Sequence, residues 1–390
     1  MTVSGRALRI AQVVTLFSPE GAYGGPTRVA ANQAKALMER GHEVTLFGGA
    51  RGFDRLPEMY DGVPARLFPV AHLVPGSGFA GLFSPGLAGY LTRHARDFDV
   101  IHVHMARDLV TLPAALIARG RGVPFVAQTH GMIDASSKLL AKPLDRLLTR
   151  PLLNSAERVL YLTPREAADV RSVAGTADLR LEMLPNGVPA AEPLPLTTRE
   201  PLDVLFLARL HERKRPRVFL EAAGLLAERF ANVTFSIIGP DEGEEAGVRN
   251  IAQKLDPTGQ RIRVEGPLQP HETLERMRQS SIYVLPSANE PFPMSVLEAM
   301  SAGIPVVIND DCGLSDAVQT GDAGIVTDGS ATSVADAISS LLSDEGRRNE
   351  MGGNARKLVE DSFSMEAVTE RLEEIYQAAV AAMEEVGSPA

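Results

Sequence analysis

At 390 residues the chain is too long for one ordinary domain, and its 44% hydrophobic and 23% charged residues are the proportions of a globular protein. The formal charge of −10 is uneven: 22 Lys+Arg face 18 Asp+Glu up to residue 200, and 17 face 31 beyond it, an acidic second half that speaks against general nucleic-acid binding. A single cysteine, Cys312, excludes an internal disulfide, no Cys/His cluster has zinc spacing, and no run of 18 apolar residues offers a membrane span. The first residues carry a short apolar run without the core and cleavage site of a signal peptide, so the expected location is cytoplasmic.

Residues 9–16 read as a strand, followed by a loop containing Gly24 and Gly25, then Thr27 as the expected N-cap of a helix to about residue 40, then a strand over 42–47. Glycines at a helix start let backbone approach a ligand and aim N–H groups at an anion, although a plain strand–helix turn would use them equally. The dinucleotide fingerprint G-x-G-x-x-G is absent. Strands at 65–70, 100–104 and 124–128 and a helix at 109–118 continue the alternation. The Gly-, Pro- and apolar-rich region 73–90 reads either as a loop or as an acceptor surface. His102 and His104 share one face of a strand; with no third ligand in view they are expected as pocket-edge or core histidines rather than a metal pair. Asp97–Asp99 spells D-x-D but sits where a turn should precede a strand. Thr129, His130 and Gly131 fall at the C-terminal edge of a buried strand, where open α/β sheets bind ligands. Lys138, Lys142, Arg146 and Arg150 recur every four residues, interrupted by Pro143 and Pro151; a solvated face is expected, with contact to anionic lipid or a phosphorylated acceptor as the alternative. Strands at 157–162 and 180–184 finish this sheet, and 193–201 reads as a linker.

The second half opens on a strand over 202–210 that runs into Arg209 and Lys214, a basic patch in an acidic half that suits phosphate. A strand over 233–238 ends in Gly239-Pro240, and one over 261–264 is followed by Gly266-Pro267-Leu268. Residues 282–285 lead into SANEPFPMSVLEAMSAGIPVV at 287–307. Here Pro291 and Pro293 suit a helix entry, 294–302 are good helix formers, Gly303 and Pro305 stop them, and 306–308 read as a buried parallel strand. Glu290 then lies in the loop before a helix N-terminus and Glu298 about one turn inside. The N-terminus suits a ligand's phosphates, whereas two acids beside it should face hydroxyls, as on a sugar or ribose. From about residue 331 the chain is helical, with a last helix over 364–385.

The pattern E-x-F-x-x-x-x-x-E-A-M-x-x-G-x-P-V-V formed by these residues resembles the signature of retaining glycosyltransferases of family four (glycosyl transferases group 1). The resemblance implies an α/β protein of GT-B fold, two Rossmann-like domains facing each other across a cleft. Residues 1–192 would bind the acceptor, with a C-terminal helix, about 364–390, packing back on them; 193–201 would link them to a nucleotide-sugar-binding domain, 202–363. It implies catalytic roles for Glu290, His130, Arg209 and Lys214. Donor binding would fall to Gly25, Arg209, Lys214, Phe292, Pro293, Met294, Ser295 and Glu298, and Gly239, Pro267 and Leu268 would flank the base. The chain departs from the family pattern at Ala208 and Arg215, where G-R-L-x-x-x-K-G has glycines, and at Pro293, where glycine is commoner. The implied reaction moves a sugar from a nucleotide-diphosphate sugar to a hydroxyl on a sugar, lipid-linked sugar or small molecule, in polysaccharide, glycolipid or glycoconjugate synthesis. It needs no metal or other cofactor and no nucleic acid, and it leaves peripheral contact with the inner membrane face open. The alternatives are a sugar-nucleotide epimerase of the same fold and a catalytically inert sugar-nucleotide-binding module.

Overall fold

Strands that read as unbroken apolar runs belong in parallel sheets covered on both faces, and this chain builds two of them. The structure is a computed structural model that describes residues 6–19, 24–73, 78–134, 141–189, 201–269 and 272–387. Two compact units result: Met1–Gly187 together with Met365–Ala390, and Val188–Ser364.

In the first unit the sheet runs, edge to edge, Leu181–Met183, Arg158–Tyr161, Phe125–Gln128, Val100–His104, Arg9–Phe17, Glu43–Ala50, Val63–Pro69 and Met59–Tyr60. All pairings are parallel except that of the two-residue edge strand. Alternate residues serve opposite cores. Ala11, Val13, Ile101, Val103 and Ala127 pack one side with Leu87, Leu91 and Leu112. Ile10, Val14, Val100, Val126 and Leu160 pack the other, with Ala30, Ala34 and Leu37 of helix Gly24–Glu39. The C-terminal helix Met365–Gly387 completes this second layer. Its Val368, Leu372, Ile375, Tyr376 and Ala379 recur at helical spacing and are buried in the same core, and Glu373 pairs with Arg40 at 2.7 Å.

The second unit's sheet runs Ile262–Glu265, Val233–Ile238, Leu202–Leu207, Ile282–Leu285, Val306–Asn309 and Gly324–Thr327, parallel throughout. Numbered along this unit, the order is 3-2-1-4-5-6, the doubly wound arrangement. Strand order reverses between Leu202–Leu207 and Ile282–Leu285, and a crevice opens at the carboxyl ends of strands flanking such a reversal.

Some local expectations are corrected. Thr27 does not cap its helix, which begins at Gly24; its hydroxyl donates to the Leu16 carbonyl at 3.2 Å instead. The helix expected from 109 starts at Thr111, because the buried carboxylate of Asp108 accepts the N–H groups of Val110 and Thr111 at 2.7 Å and the hydroxyls of Thr15 and Thr111. Pro143 and Pro151 do not interrupt their helix. It runs from Ala141 to Leu153, with Pro143 in the first turn, where no donor is needed, and a π-helical stretch Asp145–Thr149 widening the turn before Pro151. Of the basic series, Lys142, Arg146 and Arg150 are all exposed, and the Arg150 Nε also donates to the Val173 carbonyl at 3.0 Å. Lys138 lies outside the described residues, as do 74–77 of the expected loop and most of the linker. The D-x-D acids are structural: Asp99 accepts the Arg9 N–H at 2.7 Å, and Asp97 meets His94 at 3.0 Å.

Candidate active site

The reversal point of the second sheet gathers the charged residues that the sequence singles out in that unit. Leu202–Leu207 delivers the loop 208–215, and Ile282–Leu285 delivers 286–293. The two loops are tied by the Ala288 N–H donating to the Arg213 carbonyl at 2.9 Å. Across them the Lys214 Nζ lies 2.5 Å from Glu290 Oε2, with side chains only 15% and 13% exposed. Arg213 approaches the same oxygen at 3.9 Å. Arg209 stands further out, 60% exposed, and pairs with Glu242 at 2.7 Å. Both cations expected at a diphosphate are therefore held by carboxylates in this state.

Helix Met294–Ser301 follows directly, with Pro293 in extended conformation at its N-cap. Tyr283, fully buried beneath it, lies 2.8 Å from both the Leu207 carbonyl and the Ser295 hydroxyl. A phenol has one hydrogen and a carbonyl only accepts, so Tyr283 donates to Leu207 and Ser295 donates to Tyr283. This spends the Ser295 hydroxyl hydrogen and leaves its backbone N–H, at the positive end of the helix, as its donor to an anion. Burial pushes the Tyr283 phenol well up, and Glu298 and Glu290 act in the same sense, so both acids lie within electrostatic reach of this one ring. Glu298 is partly buried on the helix. The Phe292 ring packs edge-on to Phe363 at 6.0 Å, so its side chain serves the core. Burial, with Glu290 and Asp311 nearby, pushes the Cys312 thiol up to about 12 and keeps it inert.

Two backbone features shape these loops. Arg215 stands where the resembled family has glycine, and it adopts the left-handed conformation a glycine would (φ 54°, ψ 49°). The loop keeps its form at a cost of about 1–2 kcal/mol for a residue with a Cβ. Gly239 has a packing reason of its own: a Cβ there would come within 1.9 Å of the Ala208 carbonyl oxygen. Pro267 is exposed and Leu268 partly so, both on the loop after Ile262–Glu265.

In the first unit, His130 sits just past Phe125–Gln128 in left-handed conformation (φ 51°), followed by Gly131 (φ 70°). Glu166, which lies outside every motif named above, holds this turn. Its Oε1 accepts the Thr129 hydroxyl and the Gly131 N–H, each at 2.5 Å, and its Oε2 accepts the Leu162 N–H at 2.7 Å. The capping pattern T-x-x-E at Thr163–Glu166 marks it; the Glu166 N–H does donate to the Thr163 hydroxyl, but the carboxylate reaches across to the His130 turn. His102, His104 and His130 stack nearly parallel, centroids 4.5 and 5.0 Å apart. His104 bonds to His130 and Gln12, and His102 to Tyr376, instead of converging, and no cluster of three His, Cys, Asp or Glu among the described residues could hold a metal ion. At Gly25, now inside the first turn of its helix, a Cβ would meet no protein atom within 4 Å, so packing does not demand glycine there.

Two doubly wound α/β units, one with cations and acids gathered at its strand-order reversal, define an enzyme of the GT-B class. Residues 24–187 match the glycosyl transferase 4-like domain and 195–358 match glycosyl transferases group 1, and the chain belongs to this glycosyltransferase family. It is 27% identical to D-inositol 3-phosphate glycosyltransferase 1 of Catenulispora acidiphila, over 95% of this chain and 96% of that one. The D-inositol 3-phosphate glycosyltransferase of Thermomonospora curvata is 28% identical, over 95% of each. Among solved structures, Anabaena HepE in complex with UDP superposes with a TM-score of 0.74 at 18% identity, over 94% of this chain and 98% of that one. WaaG, a glycosyltransferase involved in lipopolysaccharide biosynthesis, gives 0.66 at 18%, over 94% and 99%. The chain is a glycosyltransferase, and the epimerase and inert-module alternatives are set aside. Among the described residues no helix is long and apolar enough to cross a membrane.

Proposed function

We propose that the chain is a retaining, metal-independent glycosyltransferase that moves a sugar from a nucleotide-diphosphate sugar to a hydroxyl acceptor. The observation that carries this reading is the Lys214–Glu290 pair, 2.5 Å apart at the reversal point of the second sheet, beside the N-terminus of helix Met294–Ser301. Lys214 and Arg209 would turn from their carboxylates to the donor's diphosphate, and the backbone N–H groups opening the helix would join them. As the bond from the anomeric carbon to the phosphate oxygen breaks, this fixed positive charge stabilises the departing diphosphate, the work a metal does elsewhere. The acceptor oxygen bonds to the anomeric carbon from the same face, and its proton passes to the leaving phosphate. Glu290, released from Lys214, would hold hydroxyls of the transferred sugar, and Glu298 the ribose hydroxyls. Gly25 would admit the donor phosphates to the backbone, and Gly239, Pro267 and Leu268 would border the base. His130 would meet a hydroxyl of the substrate.

UDP in complex with HepE makes uracil the first base to test. The name of the inositol-phosphate enzymes supports a cyclitol phosphate as one acceptor beside sugars and lipid-linked sugars, in polysaccharide, glycolipid or glycoconjugate synthesis. Thermal melts with UDP-, GDP- and ADP-sugars test the donor, since a ligand at 100 times its Kd stabilises by about 2.7 kcal/mol. Slow release of nucleoside diphosphate without acceptor supports the reading. Absence of both stabilisation and release across the panel refutes it, and an inverted product refutes the retaining part.

A further inference from the structure

The buried face of the first unit holds a chain of polar groups that ends at His130. Gln12 and His104 are both fully buried, whereas His130 is only partly so. Gln12 Oε1 lies 3.2 Å from His104 Nε2, and His104 Nδ1 lies 2.7 Å from His130 Nε2. All three stacked histidines are held neutral by burial, with His130 and His102 pushed down to about 3 and His104 well below its usual value. A neutral imidazole carries one N–H and one bare nitrogen. The Gln12 carbonyl oxygen only accepts, so His104 must carry its hydrogen on Nε2 and leave Nδ1 bare. A bare Nδ1 can only accept, so His130 must carry its hydrogen on Nε2.

Resting on the glycosyl-transfer reading, we propose that Gln12 and His104 are positioning residues that fix His130 in the Nε2–H tautomer, presenting Nδ1 to a substrate hydroxyl as an acceptor. The arrangement has a chemical consequence. A bare imidazole nitrogen receives a hydrogen from a sugar or cyclitol hydroxyl, and it offers none to a phosphate oxygen. His130 thereby selects for a hydroxyl over a phosphate oxygen. Glu166 complements this from the backbone, holding the left-handed turn so that the ring keeps its place against His104.

The test is long-range proton–nitrogen NMR on the whole protein labelled at its 8 histidines, with His130→Gln assigning the resonance. In the unliganded wild type at neutral pH, a protonated Nε2 and a bare Nδ1 are expected. Hydrogen on Nδ1 overturns the proposal, because it requires Gln12 to donate and every bond in the chain to reverse. In Gln12→Met, which removes the acceptor at similar volume, the His130 signals should shift to a tautomer mixture and kcat should fall about tenfold, the worth of one neutral hydrogen bond. Gln12→Glu restores an acceptor and should restore the wild-type tautomer. An unchanged His130 spectrum in Gln12→Met also overturns the proposal. If Gln12→Met does not fold, the wild-type spectrum alone decides. The spectra need no substrate, so a failure to find any sugar donor would sink the transferase reading without touching this result.

Discussion

Removing the Lys214 ammonium while keeping its stem, as in Lys214→Met, separates the two duties assigned to this residue. In the resting protein its partner Glu290 is 13% exposed and 2.5 Å away. Breaking a buried pair from one side costs about 3–5 kcal/mol because a charge is left without compensation. Glu290 keeps a thin contact with water and has Arg213 at 3.9 Å, so the expected loss lies at the low end, about 3 kcal/mol. For a unit of this size that lowers the melting temperature by roughly 6–12 °C. Turnover should fall about 10²–10³-fold, the cost of one donor to a developing anion. The double variant Lys214→Met/Glu290→Gln distinguishes the two effects. With both charges gone stability should return close to wild type, while turnover stays low. Urea unfolding and release of nucleoside diphosphate from the best donor of the nucleotide-sugar panel measure both. Near-normal turnover in Lys214→Met, or recovery of turnover with stability in the double variant, would show that the pair only braces two loops.

Other perturbations probe other parts of the molecule. Arg215→Gly should be more stable than Arg215→Ala by about 1 kcal/mol in urea unfolding, since both lose the side chain but only alanine keeps the left-handed strain; equal stabilities would remove the strain. Gly239→Ala drives a methyl toward the Ala208 carbonyl and should cost about 3 kcal/mol, the upper part of the overpacking range, so an unchanged thermal melt would contradict the close approach. Glu166→Gln keeps the shape but gives one arm an N–H where only donors arrive; kcat should fall more than stability does, and kinetics with urea unfolding compare the two. The buried His102 sets a pH slope. Its folded pKa is pushed down to about 3 by burial, the unfolded chain takes up a proton below 6.5, and so the unfolded state binds more protons. Its contribution is complete above pH 6.5 and is lost as pH falls from there toward 3, at about 1.4 kcal/mol per pH unit. His104 acts in the same sense. Urea midpoints at pH 7.5, 6.5 and 5.5 check the slope, and a stability that rises on acidification would refute it.

Local patterning was legible in the sequence because it is written within a few residues. Pro293 before good helix formers and Gly303 after them gave a helix expected over 294–302, and it runs Met294–Ser301. Apolar runs gave strands at Val100–His104, Val233–Ile238 and Ile282–Leu285 to the residue. Errors arose where a side chain far along the chain took over a local duty: the Thr27 hydroxyl goes to Leu16, and Asp108 ties Thr15 to the start of the next helix. The decisive contacts have no local signature. Lys214 meets Glu290 across 76 positions, His104 meets Gln12 across 92, and Glu166 reaches Gly131 across 35. Parallel strands returning through helices bring such residues together, and only the order of strands says which loops will face each other.

The non-glycine residues strained into positive φ are informative for the same reason. Arg215 and His130 both follow a strand's carboxyl end, and each is held left-handed by hydrogen bonds. Arg215 donates its N–H to the Glu212 carbonyl, and the Glu166 carboxylate gathers donors from both sides of His130. A strained backbone persists only where its surroundings over-determine it, and such positions cluster where a side chain must be aimed. At His130 the aim is set twice, by Glu166 through the backbone and by His104 through the ring. At Lys214 it is set once, by the Glu290 carboxylate, which a donor bound as proposed would displace. On the proposed reading the first unit keeps its polar group in place before substrate arrives and the second exchanges one anion for another, so donor binding should disturb Lys214 and Glu290 while leaving the His104–His130 bond intact.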